Sequence, residues 1–102
     1  MSITIRRGQS EDASALYALA LQFQTGRERI GRDEFLIALD NVLRRRDQEA
    51  NVLFVAERDG EVAGYSLMTV SRLLHAPGLT AHLQEIVVDE ASRGFGVGDR
   101  LM

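Results

Sequence analysis

The order of strand-like and helix-like patterns predicts an α+β fold, an α/β sandwich built on a mainly antiparallel sheet. Apolar residues first alternate with period two, then recur with helical spacing over two segments, and then return to strand-like runs. An Asp-Gly pair separates two of the later runs, which is the sequence signal of a tight hairpin. The predicted order is β-α-α-β-β-β, followed by the opening of a third helix. A length of 102 residues fits one domain, spanning 1–102.

The N-terminal segment predicts a strand and a helix. Ile3, Thr4 and Ile5 alternate as a short strand. Ser10 is suited to cap a helix whose first turn carries Glu11 and Asp12, where the helix dipole favours acid. The apolar stripe of this helix is predicted to be Leu16, Leu19, Ala20 and Phe23.

A second helix is predicted to begin near Asp33 and to end in the basic run at 44–46, where positive charge suits a helix C-terminus. We interpret that run as a solvated helix end rather than a binding patch. The predicted inward residues of this helix are Phe35, Leu36, Leu39, Val42 and Leu43.

The C-terminal half predicts a meander of three strands. They are expected at residues 51–57, 62–71 and 80–88, with Asp59-Gly60 forming the first turn. A loop containing His75 and Pro77-Gly78 is expected at residues 73–79.

Composition excludes several classes of function. The net charge of −3 argues against a general binder of nucleic acid or of an anionic membrane surface. The absence of cysteine excludes disulfides, thiolate catalysis and cysteine-ligated metals, and it is compatible with a reducing compartment. No apolar run approaches the roughly 20 residues of a membrane-spanning helix, and the N-terminus lacks a signal-peptide core. We therefore expect a cytoplasmic protein that uses no metal.

The most informative stretch follows the last strand, where Arg93, Gly94, Phe95, Gly96, Val97 and Gly98 lead into helical spacing. A strand, a glycine loop and a helix start together present backbone N–H groups to an anion. A P-loop is excluded because the chain has no lysine. The dinucleotide fingerprint is excluded because Asp99 stands where it needs glycine. A pyrophosphate cradle remains, with a glycine-rich turn that binds no ligand as the alternative.

This loop and the element order resemble the GNAT superfamily of acetyl-CoA-dependent N-acetyltransferases. The family pattern of Gln or Arg, two residues, Gly, one residue, and Gly or Ala is filled by Arg93, Gly96 and Gly98. The resemblance covers the whole chain, and it implies a further strand, helix and closing strands that this sequence does not contain.

The resemblance implies acetyl-CoA as co-substrate and a primary amine as acceptor. Backbone N–H groups of residues 93–98 would hold the pyrophosphate, with the Arg93 side chain available to the phosphates. Backbone groups of Ile86, Val87 and Val88 would pair with the pantetheine arm. A bulge in this strand would turn one amide toward the thioester carbonyl and stabilise the oxyanion.

Two residues of the last strand are the catalytic candidates. Glu85 is the expected base, acting through water, with a solvent-facing carboxylate or a partner of Arg72 as the alternative. His82 is a second candidate because imidazole transfers protons near neutral pH, with an ordinary polar strand residue as the alternative. Tyr17 and Tyr65 lie in elements that do not supply the family's general acid.

The alternative to an N-acetyltransferase is a catalytically inactive GNAT remnant or fragment that binds coenzyme A or a protein partner. Without a neighbouring fifth strand, the last strand would present an unpaired apolar edge. We therefore expect a homo-oligomer, an exchange of elements with a partner, or a chain that is unstable alone.

Overall fold

The structure, a computed structural model, describes residues 2–23, 30–44, 51–72 and 79–102. The strands are β1 (Ile3–Arg7), β2 (Asn51–Arg58), β3 (Glu61–Arg72) and β4 (Leu79–Val88), and the α-helices are α1 (Ala13–Phe23), α2 (Arg32–Arg44) and α3 (Val97–Leu101). Short 3-10 turns precede α1 at Ser10–Asp12 and follow β4 at Glu90–Ser92. The predicted α+β fold and element order are confirmed, and each strand runs one or two residues beyond its predicted limits.

The four strands form one antiparallel sheet in the order β1-β2-β3-β4. The predicted Asp-Gly hairpin joins β2 to β3, and both of its central residues have positive φ, 52° at Asp59 and 87° at Gly60. Two positive φ values give a turn whose twist matches that of the flanking strands, which explains the Asp-Gly pair. The turn also meets β1, because the Asp59 N–H donates to the Ser2 carbonyl oxygen at 2.8 Å.

Alternation along the strands divides the apolar residues between two faces of the sheet. One face packs against α1 and α2, and the other packs against α3. The buried residues of the first face and its helices are Leu16, Leu19, Leu39, Leu53, Val55, Tyr65 and Val87. Those of the second face are Ala56, Val97 and Leu101, with Ile86 and Val88 packed against them.

A β-bulge interrupts β4 at Gln84. Leu67 of β3 pairs with Glu85, whereas the next residue, Met68, pairs with Leu83, so Gln84 has no opposing residue. The bulge lies in the strand where the family resemblance implies one. A bulge re-aims the neighbouring side chains and amides, and here the neighbour is Glu85.

Two details differ from the sequence predictions, and a third prediction lies outside the described residues. Gln9 rather than Ser10 caps the first turn, because the Gln9 N–H donates to the Asp12 carboxylate and the turn begins as a 3-10 helix. Leu36 is exposed rather than inward, because it points away from the stripe through Phe35 and Leu39 that packs on the sheet. His75 and most of the basic run after Arg44 lie outside the described residues.

Arg6 ties the first turn to the sheet. Its Nη2 atom lies 2.7 Å from Asp12 Oδ1, and its Nε atom lies 3.0 Å from Glu57 Oε1. The hydrogen bonds from Arg6 hold the pKa of the nearly buried Asp12 carboxyl below its ordinary value, against the opposing effect of burial. This pairing stabilises β1, β2 and the start of α1 as one unit.

Candidate acetyl-CoA site and catalytic residues

The chain leaves β4 through one 3-10 turn and then forms the glycine loop. Gly94 and Gly96 both lie in the left-handed region, with φ of 88° and 82°. A β-branched residue would be strained in that region, which explains glycine at these two positions. Gly96 also caps α3, because its carbonyl oxygen accepts from the Arg100 N–H at 3.2 Å. The predicted strand, glycine loop and helix start therefore follow one another as expected.

The loop leaves a run of backbone donors free. In the described part of the chain, none of the N–H groups of residues 94–98 donates to a backbone carbonyl. Together with Val88, Ser92 and Arg93, the loop borders an open depression of about 360 Å³. Free N–H groups around a depression are the donors that a phosphate oxygen accepts.

Arg93 is exposed at the start of the loop. Its Nε atom donates to the Val88 carbonyl oxygen at 3.1 Å, which bends the side chain back over the end of β4. Arg93 also borders the depression. The structure brings this side chain and the loop donors together.

The outer edge of β4 is free among the described residues. The Asp89 N–H points inward, to the Ala63 carbonyl of β3, whereas the Val88 carbonyl points outward to Arg93. Because backbone groups alternate in direction along an antiparallel strand, the groups of Ile86 and Val88 face the free edge and those of Val87 face β3. The free edge and the free loop donors therefore lie on one continuous stretch of chain.

Two side chains hold the segment between β4 and the loop. Gln22 of α1 donates to Asp89 Oδ1 at 2.9 Å and accepts from the Glu90 N–H at 3.1 Å. Arg58, the last residue of β2, donates from Nη1 to the Ala91 carbonyl at 2.9 Å and to Ser92 Oγ at 3.2 Å. Sequence reasoning missed both residues, because each acts across more than thirty positions and no local pattern marks it.

Glu85 lies on the face of the sheet that packs against α1 and α2. Its Oε1 atom accepts a hydrogen bond from the Tyr65 hydroxyl at 3.1 Å. The carboxylate is half-buried and borders a cavity of about 150 Å³ that is otherwise lined mainly by apolar side chains. The carboxylate is therefore only partly exposed to solvent. The side chain of Arg72, its other expected neighbour, lies outside the described residues.

Sequence reasoning assigned Tyr65 no catalytic role, but the structure places it beside Glu85. Burial, followed by the nearby Glu85 charge, raises the pKa of the Tyr65 phenol above its ordinary value. The hydroxyl therefore stays protonated and donates to the carboxylate over the whole neutral range. The sequence predicted that residues 62–71 and 80–88 form neighbouring strands. It did not determine the register between them, and therefore did not show that Tyr65 lies beside Glu85.

His82 is exposed on β4 and pairs with Thr69 of β3. In the described ranges no hydrogen bond joins it to Glu85 or Tyr65, so the structure does not bring the two catalytic candidates into one bonded group. No cluster of histidine and carboxylate side chains is arranged to hold a metal ion in the same ranges. None of the described helices is long and apolar enough to span a membrane.

The sequence model of the Acetyltransferase (GNAT) family matches residues 13–102. The chain therefore belongs to the GNAT acetyltransferase family. No curated protein sequence matches it.

Solved structures agree on the fold. The chain is similar to glucosamine-6-phosphate N-acetyltransferase from Arabidopsis thaliana, with 22% identity, a TM-score of 0.76, and 99% of this chain and 69% of that chain covered. It is also similar to a GNAT family acetyltransferase from Staphylococcus aureus, with 20% identity, a TM-score of 0.79, and coverage of 99% and 73%.

A third similar structure is ribosomal-protein-alanine N-acetyltransferase from Brucella melitensis. It shares 20% identity, with a TM-score of 0.77 and coverage of 99% of this chain and 67% of that chain. The names of these proteins describe different acceptors, a sugar phosphate and a ribosomal protein. At these identities the likeness establishes the fold and does not select an acceptor for this chain.

Proposed function

We propose that the chain is an N-acetyltransferase that transfers the acetyl group of acetyl-CoA to a primary amine. The observation that carries the proposal is the continuity of the free β4 edge with the free N–H groups of the glycine loop. The loop suits a pyrophosphate and the edge suits an amide-containing arm, and coenzyme A joins these two groups in one molecule. Membership of the GNAT family supports the same assignment.

In the proposed complex, N–H groups of residues 93–98 and the Arg93 side chain bind the pyrophosphate. Arg93 contributes charge-assisted hydrogen bonds, which are about twice as strong as neutral ones. The outward backbone groups of Ile86 and the outward N–H of Val88 bind the pantetheine arm, while the Val88 carbonyl oxygen holds Arg93 and Val87 packs beneath them in the core. This arrangement directs the thioester toward the bulge at Gln84 and therefore toward Glu85.

The proposed reaction is direct transfer. The amine nitrogen attacks the thioester carbonyl carbon, the carbon–sulfur bond breaks, and the sulfur leaves as the thiol of coenzyme A after taking up a proton. Glu85 accepts the proton that the attacking amine loses, through an intervening water. Tyr65 holds the Glu85 carboxylate in place by its hydrogen bond, and His82 is the second candidate for proton transfer along the same strand.

Calorimetric titration with acetyl-CoA and coenzyme A tests the binding step, and thiol release over a panel of primary amines tests the transfer step. Binding with amine-dependent thiol release is the expected result. Binding without release for any amine would instead support an inactive coenzyme A-binding protein. The absence of binding would contradict both assignments.

Self-association through β4 remains a separate prediction. A second copy that paired with the outer edge of β4 would occupy the same backbone groups as the pantetheine arm. We therefore expect coenzyme A to shift any such dimer toward monomer. Light scattering coupled to size exclusion, with and without coenzyme A, measures this shift, and a dimer that is insensitive to coenzyme A would contradict pairing at this edge.

A further inference from the structure

Arg58 occupies an unusual position at the junction between the hairpin and the glycine loop. It ends β2 directly before the Asp59-Gly60 turn, yet its guanidinium group reaches across to the segment that follows β4. One face of the group lies over the Phe95 ring, with Arg58 Cζ 4.1 Å from the ring centroid. Its Nη1 atom also bonds Ala91 and Ser92, so the side chain holds both ends of the segment that precedes Gly96.

The partners that Arg58 bonds or stacks on in the described residues are uncharged. They are a carbonyl oxygen, a hydroxyl and an aromatic ring, and no carboxylate in the described ranges lies within ion-pair distance. Arg6 is different, because two carboxylates neutralise it.

The Phe95 side chain is oriented by this contact. It is 46% exposed, so burial alone does not hold the ring in place. Stacking of a guanidinium on an aromatic face is attractive even at partly exposed sites. Because Phe95 lies between Gly94 and Gly96, holding its ring restricts the movement of the residue that joins these two conformationally free glycines.

We propose that Arg58 is a positioning residue that holds the glycine loop in its pyrophosphate-binding conformation before the ligand arrives. The proposal rests on the proposed function of the loop. A loop that is already ordered loses less conformational freedom on binding, which increases affinity without adding a contact to the ligand. Arg58 therefore acts on the binding of acetyl-CoA and not on the transfer step.

The test compares Arg58→Ala with Arg7→Ala. Arg7 also lies over a phenylalanine ring, with its Cζ 5.8 Å from the Phe54 centroid, but these two residues belong to β1 and β2 and not to the loop. We expect Arg58→Ala to weaken acetyl-CoA binding about tenfold and to raise its KM to the same extent, with kcat at saturation unchanged. Arg7→Ala should leave the Kd unchanged. A fall in kcat equal to the rise in KM, or an unchanged Kd, would overturn the proposal.

Arg58→Lys separates geometry from charge. Lysine keeps the positive charge but lacks the planar group that bonds two acceptors and stacks on a ring. We expect affinity between those of the wild type and Arg58→Ala. Full wild-type affinity in Arg58→Lys would overturn the requirement for a guanidinium.

Amide hydrogen exchange tests the proposal without any ligand. The Ser92 and Arg93 N–H groups bond Asp89 and Glu90 across the turn that Arg58 holds. Their exchange should be about tenfold faster in Arg58→Ala and unchanged in Arg7→Ala, since exchange reports local opening. If the wild type failed to bind acetyl-CoA, the proposed function would fail while this measurement still decided whether Arg58 holds the loop. Unchanged exchange in Arg58→Ala would overturn its positioning role.

Discussion

The two faces of the sheet differ in charge near the end of β4. On the face toward α1 and α2, Glu85 is a half-buried carboxylate beside apolar side chains and the Tyr65 hydroxyl. On the side of α3, the glycine loop offers free N–H groups and the exposed Arg93. One face therefore suits a cationic amine and the other suits a polyanionic donor. In the proposed function, binding of the donor and deprotonation of the acceptor depend on different residues, so single substitutions should separate them.

The largest effect is expected from Gly96→Val on the donor side. Gly96 has φ of 82°, and valine there would distort the loop and move its N–H groups. Loss of two charge-assisted hydrogen bonds, at about 2 kcal/mol each, predicts a fall in acetyl-CoA affinity of about 1000-fold. Gly60→Val is the matched control, because Gly60 has φ of 87° and equally open surroundings but lies in the β2–β3 turn. Calorimetry that gave both variants wild-type affinity would contradict the pyrophosphate assignment.

Glu85→Gln, on the face toward α1 and α2, should affect the transfer step alone. Removing a general base is expected to lower kcat about 100-fold, while the Kd for acetyl-CoA stays unchanged because the loop is untouched. Glu61→Gln, at an exposed carboxylate on β3, is the control. Steady-state thiol release with an amine that the wild type acetylates makes the measurement. An unchanged kcat would remove Glu85 from the proposed role and leave His82 as the remaining candidate.

Asp12→Asn should lower stability and leave both the Kd for acetyl-CoA and kcat unchanged. It breaks the pairing with Arg6 at a nearly buried site, and we expect the free energy of unfolding to fall by about 2 kcal/mol. Asp40→Asn removes the exposed pair with Arg44 and should cost less than about 0.5 kcal/mol. Denaturant unfolding measures both values. Equal losses would show that burial of Asp12 does not strengthen its pairing.

The same pairing predicts a pH dependence of stability. The pKa of Asp12 is lowered in the folded chain, so its stabilising contribution is present above the ordinary carboxyl pKa of about 4 and is lost as the pH falls toward the folded value. Wild-type stability should therefore decline more steeply below pH about 4 than that of Asp12→Asn. Parallel declines would contradict the lowered pKa.

Tyr65→Phe should give the smallest effect. It removes the hydroxyl that bonds Glu85 and keeps the buried ring, so the expected fall in kcat is about fivefold, corresponding to about 1 kcal/mol. The Kd for acetyl-CoA should not change. A kcat as low as that of Glu85→Gln would instead give Tyr65 a direct part in proton transfer.

Local patterns were sufficient for the elements and for the position of the loop. The Asp59-Gly60 pair predicted its turn because few residue types tolerate the two positive φ values that such a turn requires. The glycines near Arg93 predicted the loop because glycine tolerates the same backbone conformation. Long-range partners could not be predicted in this way. The site also includes contacts from Gln22, Arg58 and Tyr65, which depend on the register and packing of distant segments. A single polar residue on a helix or strand carries no local signal of its distant partner. Leu36 shows the related limit, since its apolar character did not decide which side of α2 packs on the sheet.

Amide NMR during titration with coenzyme A measures, residue by residue, whether the glycine loop binds the pyrophosphate. The largest shifts should fall on the N–H groups of Gly94, Gly96 and Gly98, which are free of backbone carbonyl partners before binding. Smaller shifts are predicted at Ile86 and Val88 on the free edge of β4. Saturable shifts that spared these glycines and fell elsewhere, for example on the α1 and α2 face, would contradict binding of the pyrophosphate by the loop.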